Sequence, residues 1–347
     1  MDTLLDDIGS FPFPSNFKKD KFNQAYQIAR ETAINNKNFT RNDFLVENFN
    51  PIILDAFRKK IASGLDVVTY PQIYSGIDQV GDLIQLAMEK GSFTVDDEKA
   101  VLPEIRLIEQ EAKILSEEFG KKIQLRASIF GPFELYQQEV GTKIYPDVLL
   151  ALAETIRRFA KNSIIDSKHI QTKVISIDEP SLGYTNLAVE PRLFCEAMEK
   201  AFDFKGAIKQ IHLHSTFKLH DLVCVKNLDV LSFEYAASPR NIEAVPKRFL
   251  DDADKLIRVG ISRTDIDSLV AELADKGITK PSNDQLVENE DTIRKRYILA
   301  KEKYGERLAF TGPDCGLSGW PSQESAQLLL KTTVKAVRTT GNTLNLK

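Results

Sequence analysis

An α/β chain closed into a single (β/α)₈ TIM barrel is the fold this sequence predicts, on three observations. Eight short apolar runs suited to strands recur along its 347 residues. Segments with apolar residues at helical spacing separate them throughout, the alternation that gives a parallel sheet with right-handed crossovers. The runs also end on polar residues or glycine, where barrel enzymes keep their chemistry. An open doubly wound sheet would need a Gly-rich first turn, and Ile8-Gly9-Ser10-Phe11-Pro12 is not one.

The first run, Leu4 to Ile8, closes at Gly9-Ser10 and a Phe-Pro-Phe-Pro stretch that no central strand continues. Helices are expected over 18–35 and from Pro51 to Gly64, the second with Asn50 as N-cap and proline at its first position. The second strand, Leu65 to Thr69, ends in Tyr70-Pro71-Gln72. Helical patterns follow at 77–90 and 103–119, the latter stopping at Gly120. Strand three, Ile123 to Phe130, meets Gly131-Pro132, and a long helical region fills 146–168. Strand four, Val174 to Ile177, ends in Asp178-Glu179-Pro180, and a helix at 191–203 leads to strands at 208–214 and 229–233. Leu256 to Val259 ends at Gly260, helices are expected at 265–275 and 283–303, and a last strand at 307–310 precedes a closing helix over 322–338. The surplus over a bare barrel of roughly 250 residues falls in N-terminal helices and an insertion between strands two and three. Residues 1–347 are expected to form one domain.

Composition excludes several classes. The net charge is −4 with both signs mixed throughout, so no basic face offers itself to nucleic acid. The N-terminus lacks the basic and apolar regions of a signal peptide, and no stretch of about 18 apolar residues is present to span a membrane. Three cysteines, Cys195, Cys224 and Cys315, point to a reducing, cytoplasmic setting without a disulfide framework. Cys195 and Cys224 read as core packing, with metal ligation a second reading for Cys224.

The strand ends carry the candidate chemistry. His212, His214 and Thr216 stand at i, i+2 and i+4 and share one face for as long as their strand lasts. Glu234 closes the next strand, and Cys315 follows the last. Imidazole, carboxylate and thiolate are the ligand types that hold catalytic zinc with one position open. Singly, each has a plainer reading: a core histidine, a helix-capping glutamate, a small apolar cysteine. Asp178 and Glu179 could likewise cap a helix, or one could hold the ammonium group of an amino-acid substrate beside a metal.

These motifs in this order resemble the catalytic half of the cobalamin-independent methionine synthase family. Ile8-Gly9-Ser10-Phe11-Pro12, Gly64 to Val68, Phe130-Gly131-Pro132, Ile177 to Pro180, Ile211 to His214, Phe233-Glu234 and Gly312 to Leu317 carry the resemblance across nearly the whole chain. The family implies a zinc ion that binds the homocysteine sulfur. His214, Glu234 and Cys315 match three zinc ligands, and His214, Cys315 and Asp178 take the catalytic roles. Asp178, with Glu179 beside it, matches the residue that takes the substrate ammonium group, and Ile8, Gly9 and Ser10 match the segment at its carboxylate. Gln72 stands where the family has a substrate-binding glutamate.

The sequence also departs from the family. Thr216 stands where the family's second thiolate is expected, so zinc would keep three ligands, or take Cys224 or His212 as a fourth, or be bound more weakly. The loop after strand seven, Val259 to Asp265, lacks the histidine that folate-using members employ as a proton donor. Loss of a thiolate leaves the sulfur less nucleophilic, which favours a reactive donor. The expected partners are therefore homocysteine and a methylated corrinoid, free or on a partner protein, in preference to methyl-folate. Two alternatives are a thiol acceptor of the coenzyme M type and a non-catalytic subunit of a split synthase.

Overall fold

A computed structural model describes residues 2–184 and 188–344. The chain begins with β1 (Leu4–Leu5), α1 (Lys19–Ile34), α2 (Asp43–Asn48), α3 (Asn50–Ile61), β2 (Val68–Thr69), α4 (Gly76–Met88) and α5 (Pro103–Phe119). It continues through β3 (Ile123–Phe130), α6 (Pro132–Glu139), α7 (Pro146–Asn162), β4 (Ile170–Asp178), α8 (Pro191–Ala201), β5 (Ile208–Leu213) and β6 (Val230–Phe233). Two short helices, α9 (Arg240–Ala244) and α10 (Lys247–Ala253), lead to β7 (Leu256–Ser262). Then come α11 (Ile266–Asp275), α12 (Asn283–Leu286), α13 (Glu290–Tyr304), β8 (Leu308–Pro313) and α14 (Gln323–Leu344).

All strand pairs are parallel, and the strands follow sequence order round one curled sheet with β1 beside β8. Parallel bridges from Asp6 to Val67 and from Ser10 to Gln72, with Leu5 O accepting from the amides of Asp66 and Val67, join β1 to β2 and close the barrel. The expected additions are present, α1–α3 before β2 and two helices, α4 and α5, between β2 and β3. Proline at its first turn and left-handed Gly120 at its end delimit α5.

The barrel interior mixes aliphatic side chains with buried charges. Asp6 lies between Arg126 (2.8 Å) and Arg258 (2.7 Å), and Asp7 pairs with Lys60 at 2.7 Å. All five side chains are almost wholly withdrawn from solvent, where an unpaired charge would be strongly destabilising. Lys60 also donates to the carbonyl of Gly9 at 2.8 Å. Ion pairs thus fix the segment that a two-residue β1 could hold only weakly.

Several sequence expectations are corrected. Asn50 is not an N-cap: it is the first helical residue of α3, buried, with its amide nitrogen 3.4 Å from the carbonyl of Phe39. The helix expected over 146–168 ends at Asn162, and β4 begins earlier than expected, at Ile170. Helices α6, α9 and α10 are too short to show a periodic pattern. Cys195 and Cys224, 29 residues apart, form a disulfide between α8 and the loop after β5, so the expectation of no disulfide is overturned. No helix among the described residues is long and apolar enough to cross a membrane.

Candidate metal centre and substrate cavity

Strand geometry brings the two histidines together. His212 is in β5 and His214 just past its end, so the two-residue period turns both to one side, with ring centroids 5.4 Å apart. The strand stops before Thr216, and the shared face stops with it. Thr216 Oγ1 donates instead to Asn241 Oδ1 at 3.3 Å. Asn241 Nδ2 in turn donates to the carbonyls of His214 (3.1 Å) and Glu234 (2.8 Å), tying the ends of β5 and β6 together.

Asp314 joins the remaining donor to this pair. Its buried carboxylate accepts from the amides of Tyr235 (3.0 Å), Ala236 (3.0 Å) and Ala237 (2.6 Å), fastening the turn after β8 to the turn after β6. Gly260 makes room for it, since a Cβ there would stand 2.2 Å from Asp314 Oδ1. Glu234 and Cys315, neighbours of the two fastened segments, are thereby brought to the histidines.

Cys315 Sγ lies 3.3 Å from His214 Nε2, which lies 3.6 Å from Glu234 Oε1. With His212 included, the four potential ligand atoms lie within 4.8 Å of one another. Donors around a tetrahedral zinc, at roughly 2.0–2.3 Å from the ion, stand about 3.3–3.8 Å apart. His212 Nδ1 is 3.3 Å from Ser232 Oγ, whereas its Nε2 is buried without a hydrogen-bond partner among the described residues. Such an orphaned nitrogen is costly unless something fills its lone pair.

Burial governs the protonation of all four groups. It pushes Cys315 up to about 12 and Glu234 up to about 8, with the Glu234 and Asp314 charges adding respectively to the two shifts. It pushes both imidazoles down, His212 furthest because His214 and two arginines also face it. Neutral imidazoles with available lone pairs beside a thiol and a carboxyl make a donor set that fits a divalent cation, whose binding would displace the acidic protons.

A cavity of about 350 Å³ adjoins the cluster, and Ile8, Gly9, Ser10, Gln72 and Asp178 line it with His212, His214 and Cys315. Burial raises Asp178 to about 6, opposed by Arg126, whose Nη2 is 3.9 Å away, and by a 2.5 Å hydrogen bond from Ser176. Ser10 Oγ accepts from the amide of Ser318 at 3.2 Å, so the first and last rim loops lock together. Glu179 does not line the cavity. It is fully buried, and its carboxylate accepts from the amides of Phe133 (2.9 Å) and Glu134 (2.8 Å) at the start of α6. Cys224 is committed to its disulfide and stands outside the donor cluster. Trp320 is buried, with Nε1 donating to the carbonyl of Thr264. Sequence reasoning missed Ser232, Asn241 and Asp314, which touch the site through other residues and carry no motif of their own.

No family model matches the sequence, and no curated protein matches it. Solved structures share the fold, among them these two. A B12-independent methionine synthase from Shewanella sp. W3-18-1, in complex with selenomethionine, aligns with a TM-score of 0.60 at 12% identity, over 99% of both chains. A Listeria monocytogenes protein provisionally named a vitamin-B12-independent methionine synthase aligns at 0.53 and 13% identity, over 98% of this chain and 99% of its own.

Proposed function

We propose that this chain is a zinc-dependent methyltransferase that moves a methyl group to the thiol of homocysteine, forming methionine. The observation that carries the reading is one juxtaposition. Two imidazoles, a carboxyl and a thiol converge beside a cavity whose wall bears Asp178 and the backbone of Ile8 to Ser10. Two structures of the same fold bear names from methionine synthesis, one of them in complex with selenomethionine.

His214, Glu234 and Cys315 would hold zinc, with His212 in place of the absent second thiolate as a fourth donor. Zinc bound there would supply the Lewis acidity that keeps a thiol deprotonated near neutral pH. The chain's own groups do the rest. Asp178 receives the substrate ammonium group, and the amides of Ile8 to Ser10, held by Lys60 and Asp7, receive its carboxylate. An anionic acceptor such as a sulfonate thiol would face Asp178 at this wall, which disfavours it. In the transfer, the homocysteine sulfur forms a bond to the methyl carbon and the donor leaves with the electron pair of the broken bond.

The donor follows from what the rim lacks. Between Gly260 and Asp265 there is no imidazole to protonate a leaving group. Arg263, the cation there, is spent on Asp265 (2.7 Å) and Glu272 (2.8 Å). A methylated corrinoid, free or on a partner protein, needs no such proton and is preferred to methyl-folate. Zinc analysis of wild type and Cys315→Ala, with and without homocysteine, tests the site. About one zinc per chain in wild type and little in the variant is expected, and equal content in both would overturn it. Faster turnover with methyl-folate than with methylcobalamin would overturn the donor assignment.

A further inference from the structure

The Cys195–Cys224 disulfide joins two segments of the rim, α8 after β4 and a 3₁₀ turn (Asp221–Cys224) after β5. Both cysteines are only half-buried, and both line a cavity of about 260 Å³ that shares no lining residue with the substrate cavity. Leu182, Val189 and Phe194 give this second cavity apolar walls. Exchange of a disulfide needs a thiolate to reach one of its sulfurs, so a half-buried bond beside a cavity is open to it where a packed one is not.

The segment that ends at Cys224 has few other ties. Among the described residues, every hydrogen bond and ion pair made by residues 217–224 stays within 215–225. Apart from the disulfide, buried Leu219 and Leu222 and the ring of His220 against Phe249 (4.4 Å) hold it to the body. Its flanks are fastened independently. Asn241 holds the carbonyl of His214 on one side, and Lys255 Nζ donates to the carbonyls of Val225 (2.9 Å) and Leu228 (2.5 Å) on the other. Breaking the disulfide therefore loosens 217–224 and leaves His214 and β6 in place.

We propose that Cys195 and Cys224 form a thiol–disulfide exchange site, that a low-molecular-weight thiol enters it through this cavity, and that reduction releases the rim segment 217–224. The thiolate of the small thiol bonds to one cysteine sulfur, and the other leaves with the electron pair and takes a proton. A second small thiolate displaces the first, so two small thiols are oxidised to their disulfide as the protein gains two thiols. This site stands apart from the donor cluster and does not rest on the methyl-transfer reading.

Reduction by 2-mercaptoethanol and by glutathione, followed by acid quench, alkylation and peptide mass spectrometry of Cys195 and Cys224, tests the proposal on the folded protein. The rate should rise in proportion to thiol and change less than about twofold in 1 M urea. Acceleration of about tenfold or more would mean reduction through unfolding and would overturn the site. Val189→Phe, which fills the cavity, should slow glutathione about tenfold, and an unchanged rate would overturn entry by this route. Wild type gives a second measure that needs no variant to fold. At equal thiolate, the ratio of the 2-mercaptoethanol rate to the glutathione rate should exceed the ratio on an open model disulfide by about tenfold, and equal ratios would overturn entry by the cavity. Amide hydrogen exchange reads the release. The amides of 219–225 should exchange about tenfold faster in the reduced protein while those of β6 stay unchanged, and equal protection in both states would overturn it.

Discussion

Cys315 Sγ and His214 Nε2 meet at 3.3 Å although 101 positions separate them in the chain. The meeting is made by backbone fastening more than by either side chain. Asp314 ties the turn after β8 to three amides beyond β6, and Asn241 ties the ends of β6 and β5. Both fasteners, Asp314 and Asn241, lie outside the donor set.

Ser232 holds the ring of His212 through Nδ1 at 3.3 Å and leaves Nε2 free. Ser232→Ala should weaken zinc binding by about 10–100-fold, the usual effect of removing a group that orients a ligand. Competition against a chromogenic chelator measures this. Unchanged affinity would mean that His212 is not a ligand.

Asp178→Asn keeps the shape of the side chain and removes its charge. The charge-assisted bond to an ammonium group is worth roughly 1.5–3 kcal/mol, so the Kd for homocysteine should rise about 10–150-fold. The Kd for 4-mercaptobutanoate, which keeps the thiol and carboxylate but lacks the ammonium group, should change little. Equal losses for the two ligands would remove Asp178 from ammonium recognition.

Burial holds Glu104 at about 7 against an ordinary value of 4.5. The folded chain therefore keeps this proton more tightly than the unfolded chain. The resulting stability is fully present below the unfolded value and is lost as pH rises through about 7, by on the order of 3 kcal/mol. Glu104→Gln, neutral throughout, should lose less stability than wild type between pH 5 and pH 8. Urea denaturation at the two values checks this, and equal losses in both proteins would assign the effect elsewhere.

The Cys195–Cys224 disulfide closes a segment spanning 29 positions. Loop-closure entropy for such a length is about 3–4 kcal/mol, so Cys224→Ser should lower the melting midpoint by about 5 °C. Its zinc content should match wild type, because Cys224 stands outside the donor cluster. Loss of zinc in this variant would restore Cys224 as a ligand.

Much of this was legible from local chemistry. Apolar runs alternating with helical patterns fixed the barrel class, because period and order are properties of the chain itself. Pro103 and Gly120 marked the limits of α5, since each constrains its own backbone. The rim positions of Asp178, His214, Glu234 and Cys315 followed from where the strands stop.

Other features depended on distance in space, which no local pattern encodes. Thr216 looked like a partner of the histidines until β5 ended at Leu213 and turned it to Asn241. Glu179 looked like a substrate residue until the start of α6 met its carboxylate. Cys195 and Cys224 read as packing until α8 and the loop after β5 came together. The chain's own periodicity determined which elements form and in what order, because hydrogen bonding and apolar spacing act along the backbone. Only the closed barrel decided which side chains meet, because burial, ion pairing and the orphaned nitrogen of His212 exist only once distant segments have packed.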